Sequence, residues 1–541
     1  MKKLMRSLIA ALSLAQLGSL AAPTASSNPR IIVASEAGAK LDSDIAKGGG
    51  TDDTSLIQGI LDRAPQLGSL TLIVDGAILT SGLRIHSNTT IQCLNRACGF
   101  YLADNANRPI FANATPQLEG RVDRNLSFLG GTYNGNAAHQ AHTTPERGWT
   151  TAFALHGVEQ LLFRDVSITN ARTFAVYLTN WRRAVFENIY LNLDHIPTRS
   201  NQDGIHVQGP GEFLSIRNLQ GRAWDDMVAL NIDDLLGDWT AEGNFVRDPD
   251  VVKRFGAHAS IGAVTDVDID GVQADDCAQV IRILSRASRL DRVSIRNVKG
   301  TYRDFGVWIT PYFREGGNIG RIEFENIDLR PAGPRAYNYV PPFLFWLAGR
   351  MEQVVLRNIV AHEPIDGRPL VWIQPDAKIE LLRVQGLDVR DDRAKPDRTP
   401  LIRADGHIGL MQVRDVVVQR PSATGPAGAL IGTSPDRTAL KAFMDARSSL
   451  LKLTPSAGWR GWPEGYGYLS FLPEITRLQV SDVVADKLEH VVDLQIGKIE
   501  ALELDRISGM GREQHVRRAP AISTLPQTEP PVPAITAPAG R

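Results

Sequence analysis

The feature that most constrains this chain is a four-residue word that it repeats. An apolar residue, a polar one, Asn or Asp, and an apolar β-former recur as FRDV from Phe163, FENI from Phe186, IRNL from Ile216, IRNV from Ile295, FENI from Phe324 and LRNI from Leu356. Weaker copies follow as VRDV from Val413 and VSDV from Val480. Where the series is unbroken the copies stand about 23 to 32 residues apart, a period that belongs to stacked repeats and not to separate globular domains. Alternation of apolar and polar residues within each copy, with β-branched and aromatic side chains, predicts short strands. The Asn or Asp beside each strand suits a tight bend where the chain turns. A chain of 541 residues would otherwise suggest three or so domains. The repeat predicts one long all-β stack, in which each rung buries its inward side chains against the rungs above and below. Wider gaps, such as Ile216 to Ile295, are expected to hold two or three drifted or interrupted turns.

The ends of the chain read differently. Met1-Lys2-Lys3 and Arg6, an apolar run from Leu8 to Leu20, and small residues at Ala21, Ala22 and Ala25 have the order of a secretory leader over residues 1–25. The run is shorter than the roughly 20 apolar residues of a membrane span. An exported protein, periplasmic or secreted, with no membrane span is therefore expected. Residues 26–69 contain Gly48-Gly49-Gly50-Thr51-Asp52-Asp53-Thr54 followed by Leu56, Ile57, Ile60 and Leu61, which predicts a short helix capped by Asp53 or Thr54 and covering the open end of the stack. The stack is expected over 70–511, with an insertion near 434–468 that includes a helix from Ala439 to Leu453. Residues 512–541, rich in Pro, Thr and Ala beyond Ala519, are expected to form a disordered tail.

A formal net charge of −1 excludes the basic excess of a nucleic-acid-binding surface, so an anionic substrate has to be held locally. Three cysteines are too few for a disulfide scaffold. Cys93 and Cys98 are close enough in sequence to bridge a small loop or to remain thiols, and Cys277 suits a buried apolar position. Monomeric behaviour is expected.

The segment SNQDGIHVQGPGEFLSIRNLQGRAWDDMVALN, from Ser200 to Asn231, carries the chemistry. Asp203 and the pair Asp225-Asp226 are about one repeat apart, which sets three carboxylates on adjacent rungs of one face, with rungs about 4.8 Å apart. Like charges that close do not all ionise, so one group keeps its proton beside a carboxylate base. The other acidic pairs, Asp52-Asp53, Asp233-Asp234, Asp275-Asp276 and Asp391-Asp392, read as solvated turns. Trp224, Trp308 and Tyr312 are aromatic candidates for stacking on sugars or for simple packing.

At these residues the chain resembles glycoside hydrolase family 28, the polygalacturonases, and its glycine-rich TDDT segment is similar to the N-terminal part of pectate-lyase-like right-handed parallel β-helices. NQDGIHV from Asn201 is similar to the family's NTDGIHV, and WDDMVAL from Trp224 to its GDDC motif. FGAHASIGAV from Phe255 resembles GHGISIGS, and IRIL from Ile281 resembles RIK, in the same order. The resemblance spans Asn201 to Leu284. It implies a glycosidase with Asp226 as general acid, Asp203 and Asp225 positioning and deprotonating water, His258 tuning their protonation, and Asn201 and Arg282 contacting a polysaccharide substrate. It implies no cofactor or metal. The family inverts configuration, which calls for carboxyls roughly 6.5–9.5 Å apart. Departures are Gln202 for the family's Thr, Ala257 and Ala259 for glycines, one residue fewer between His258 and Gly262, and Leu284 for the lysine of RIK. Loss of that lysine removes a cation that would grip galacturonate, which leaves a neutral or differently decorated polymer open as the substrate.

Two other functions fit the same fold. A polysaccharide lyase would use the stacked aspartates to hold Ca²⁺ while an Arg or Lys abstracts a proton. A noncatalytic glycan-binding or adhesion solenoid would need neither.

Overall fold

A computed structural model describes residues 30–518 except 117–119, 142–149, 194–200, 234–237, 240–244, 247–261, 312–316, 334–341, 363, 366 and 435–472. The chain coils into a right-handed parallel β-helix, in which successive coils pair in parallel along three ladders.

The first ladder contains the repeated word. Its first apolar residue points inward and stacks in register from coil to coil: Ile32, Leu72, Ile91, Phe128, Phe163, Phe186, Ile216, Ile269, Ile295, Phe324, Leu356, Val384, Val413, Val480 and Leu504. Between Leu72 and Val480 each of these is at most 1% exposed. Burial of such a side chain contributes about 1.5–3 kcal/mol relative to leaving it in water, so a charge at one of these positions would open the stack. Phe128, Phe163 and Phe186 stack face to face, with centroids 4.7 and 5.0 Å apart.

The Asn or Asp of the word turns the chain into the second ladder. All eight copies, from Asp165 and Asn188 to Asp415 and Asp482, have φ between 53° and 58°. This left-handed region suits Asn and Asp better than most residues because their short side chains bond locally. The asparagines also bond to one another along the axis, Asn358 donating to Asn326 at 3.0 Å and Asn326 to Asn297 at 2.9 Å.

Register corrects the expected number of coils. Ile216 pairs with Ile269 and Ile269 with Ile295, so one coil, with the drifted word IDGV, fills that gap instead of two or three. Gly271 takes the bend there at φ 81°, because glycine meets the same torsional demand without a side chain. Val413 pairs directly with Val480, so the intervening residues form an insertion within one coil. The helix expected from Ala439 to Leu453 lies outside the described residues, as do residues 1–25, expected to form a leader, and residues 519–541.

At the N-terminal end a helix spans Thr54–Leu61 and buries Ile57, Ile60 and Leu61 in the main core. Asp53 is its N-cap by position, but its side chain does not cap. That carboxylate instead accepts from the backbone N–H groups of Lys40 and Leu41 at 3.0–3.1 Å, while Asp52 accepts from Thr54 N at 2.8 Å. At the other end residues 512–518, grouped by composition with the tail, add a 3₁₀ turn and the strand Val516–Arg518, which pairs with His490–Leu494. Cys93, Cys98 and Cys277 are buried free thiols. Burial pushes Cys93 and Cys277 each up to about 12, which keeps them in the unreactive thiol form. Among the described residues no helix is long and apolar enough to cross a membrane.

Candidate active site

The site lies on the outer side of the third ladder. There Ile205–Arg222, Asp226–Asn231, Val264–Leu284 and Leu290–Ile309 run side by side on successive coils, with Ile205 opposite Val228, Val228 opposite Ile281 and Ile281 opposite Val307. Their β-branched residues face the core, which turns the residues between them outward. This register sets Asp203 beside Asp226 and Asp226 opposite Gln279. Backbone bonds fix the step between coils: Gly204 donates to the Asp226 carbonyl at 2.8 Å, and the Asp226 N–H donates back to Asp203 Oδ1 at 3.3 Å.

Asp203, Asp225 and Asp226 each present an oxygen within 4.8 Å of the other two. The spacing is that of neighbouring coils. Asp203 is 1% and Asp226 6% exposed, while Asp225 is half-buried. The cluster is tighter than the roughly 6.5–9.5 Å expected between the carboxyls of an inverting glycosidase. Three carboxylates at this distance either retain a proton or take up a cation.

Two side chains that sequence reasoning passed over complete the cluster. The Gln279 amide end lies 2.6 Å from Asp226 Oδ1 and 2.5 Å from Asp225 Oδ1, and assigning its nitrogen to that position makes it a donor to both acids. The opposite orientation would set its oxygen against two carboxylate oxygens. His206 Nδ1 lies 2.6 Å from Asp203 Oδ2, and its ring stacks on Phe174 at 4.2 Å. A signal for His206 was present, since it stands three residues after Asp203 within NQDGIHV. No signal existed for Gln279, because its role depends on register across an insertion.

The other expected site residues fall as follows. Asn201 is half-buried at the approach to the strand that begins at Ile205. Arg282, opposite Ala229, is 1% exposed; its guanidinium lies 3.9 Å from the Trp308 ring centroid and donates to the carbonyls of Ile283 and Trp308. Those bonds fix the group in place. His258 and Tyr312 lie outside the described residues. Trp308 belongs to a buried aromatic cluster with Phe305, Phe343, Trp346 and Trp372, separate from the core inside the coils. Trp224 is half-buried, with the Arg303 guanidinium 3.7 Å from its ring centroid.

Three acidic pairs read as solvated turns each contain one buried carboxylate. Asp53 holds two backbone N–H groups, Asp233 accepts from the N–H groups of Arg286, Ala287 and Ser288 at 2.8–2.9 Å, and Asp391 pairs with Arg393 and Arg420 at 2.7 and 3.2 Å. Bends between coils leave backbone donors without ladder partners, and a short carboxylate supplies the acceptor.

Comparison with known proteins supports the fold and stops short of a family. The described shape is that of parallel β-helix proteins. An N-terminal fragment of bacteriophage phi29 gene product 12 matches with a TM-score of 0.52 and 12% identity, over 94% of this chain and 75% of that one. The Yersinia enterocolitica family 28 exopolygalacturonase matches with a TM-score of 0.48 and 12% identity, over 89% and 79%. The adhesin PfbA of Streptococcus pneumoniae matches with a TM-score of 0.41 and 11% identity, over 88% and 89%. No protein-family model and no curated protein sequence matches this chain.

If the carboxylates held a cation, Asp203, Asp225 and Asp226 would supply its oxygen ligands, and a hard ion such as Ca²⁺ would require several more. Gln279 as oriented offers N–H groups to the cluster. A cation bound beside it would require that amide to turn over and present its oxygen.

Proposed function

We propose that this protein is a glycoside hydrolase acting on an acidic, pectin-like polysaccharide outside the cytoplasm. The convergence of Asp203, Asp225 and Asp226 within 4.8 Å on one outer face carries this reading, because it supplies an acid and a base side by side. The motif resemblance to polygalacturonases supports the substrate class, and the leader-like residues 1–25 support export.

In this proposal Asp226 is the general acid. It protonates the glycosidic oxygen as the bond to the anomeric carbon breaks. Water attacks that carbon and passes a proton to the carboxylates of Asp203 and Asp225. Gln279 keeps Asp225 and Asp226 together, and His206 fixes Asp203. Arg282 supplies positive charge on the next coil, its orientation set by Trp308.

The competing reading, a cation-dependent lyase, rests on the same short oxygen spacing. Incubation with pectic and other acidic glycans, with and without chelator, separates the two. Reducing ends that appear without an ultraviolet chromophore and vanish in Asp226→Asn support hydrolysis. A chelator-sensitive chromophore supports the lyase, and tight binding without turnover on any glycan supports a binding solenoid. The anomer formed first, read by NMR, gives the stereochemical course.

A further inference from the structure

The outer face of the first ladder has a charge pattern of its own. Arginines there are neutralised by carboxylates on neighbouring coils. Arg296 lies 2.7 Å from Asp268 and 3.1 Å from Asp270, and Arg357 pairs with Glu323 and Glu325. One coil beyond Arg357 the pattern breaks. Arg383 stands between Val355 on the coil before and Gln412 on the coil after, while Arg414 lies between Gln385 and Ser481. Arg383 Nε donates to Gln412 Oε1 at 3.0 Å, and Arg414 donates to Gln385 Oε1 at 2.6 Å. Among the described residues Arg383 forms no ion pair, and Arg414 has a carboxylate, Asp415, only at 3.8 Å.

At this break the face opens into a cavity of about 430 Å³ crossing four coils. Its floor is an amide chain, Gln412 donating to Gln479 and Gln479 to Glu503, each at 2.8 Å. On the far wall Glu503 pairs with Arg477, and Asp505 shares Arg506 with Asp482. Arg383 is therefore the guanidinium of this groove that has no carboxylate partner among the described residues, and Arg414 has one only at 3.8 Å.

We propose that this groove is a second, noncatalytic site for a carboxylate-bearing stretch of glycan. Planar guanidinium groups match carboxylates in two-bond geometry, an amide floor offers partners to sugar hydroxyls, and the volume lies within the usual range of ligand pockets. The groove is five coils, roughly 24 Å, along the axis from the Asp203 coil and on a different ladder. It holds polymer near the molecule without touching the reacting bond, which raises the local concentration of substrate. The choice of an acidic glycan as occupant rests on the proposed function; the carboxylate-free Arg383 beside an amide floor does not.

The test is affinity electrophoresis of the full chain through a uronate polymer, in an Asp226→Asn background, with and without Arg383→Gln plus Arg414→Gln. Both changes are at the surface, and circular dichroism checks the fold. The groove changes are expected to weaken retention about tenfold through loss of charge-assisted bonds, and methyl esterification of the polymer to weaken it likewise. The same changes in the otherwise unaltered protein leave turnover of a short oligomer as it was. Equal retention of both proteins, or no retention of the parent, overturns this inference. Groove-dependent retention in a protein that hydrolyses nothing overturns the proposed hydrolysis and leaves the groove standing.

Discussion

Replacing Gln279 by Leu tests whether register across the insertion builds the acidic cluster. Leu keeps most of the buried volume and removes both N–H donors from Asp225 and Asp226. A hydrogen bond to a charged group contributes about 1.5–3 kcal/mol, so two of them would total about 3–6 kcal/mol if both acceptors were fully ionised. The cluster retains a proton in the hydrolase reading, and the two bonds share one donor group, so a cost of about 2–4 kcal/mol at pH 7 is expected. A solenoid opens coil by coil, so the cost is read locally, as faster amide exchange in Asp226–Asn231, and not as one melting temperature. Turnover is expected to fall about a hundredfold through misplacement of the acid. Gln279→Glu keeps the shape but adds a fourth carboxyl, which binds a proton more tightly folded than unfolded. Its stability is therefore present at low pH and lost as pH rises through the folded value. Unchanged exchange and turnover in Gln279→Leu, or a Gln279→Glu cost that is the same at pH 4 and pH 8, would refute the bridging role.

Asp226→Asn is expected to lower turnover by about 10²–10⁴-fold while leaving exchange in the neighbouring coils intact, and activity near the parent level would remove it as the general acid. At Asn326, Gly keeps the left-handed bend and loses two ladder bonds of about 0.5–1.5 kcal/mol each, whereas Ala adds bend strain of about 1–2 kcal/mol. Local stability should fall in the order Asn, Gly, Ala; an Ala variant as stable as Gly would show that the bend is unstrained. Burial pushes the Asp405 carboxyl above its usual range, with Arg403, Ser434 and Trp372 pulling it back. A raised folded value means that this group's contribution is most favourable at low pH and declines as pH rises through that value. Asp405→Asn should therefore remove part of the pH dependence of exchange in its coil between pH 4 and pH 7, and an unchanged slope would count against the assignment.

The repeated word determined most of the architecture, because each copy contains both halves of a coil's local physics: an inward β-former that needs stacking, and an Asn or Asp that accepts a left-handed bend. The same locality made Asp203, Asp225 and Asp226 legible, since they stand one undisturbed coil apart. Sequence overcounted coils between Ile216 and Ile295, because an insertion and a drifted word look alike until strands are paired. Only the tertiary structure brought Gln279 to Asp225 and Asp226, stacked Arg282 on Trp308, and set Arg383 against glutamine instead of a carboxylate. Each of these depends on which residues of different coils fall into register. Sequence spacing fixes register only while coil length is constant, and interstrand hydrogen bonding decides it wherever a loop intervenes.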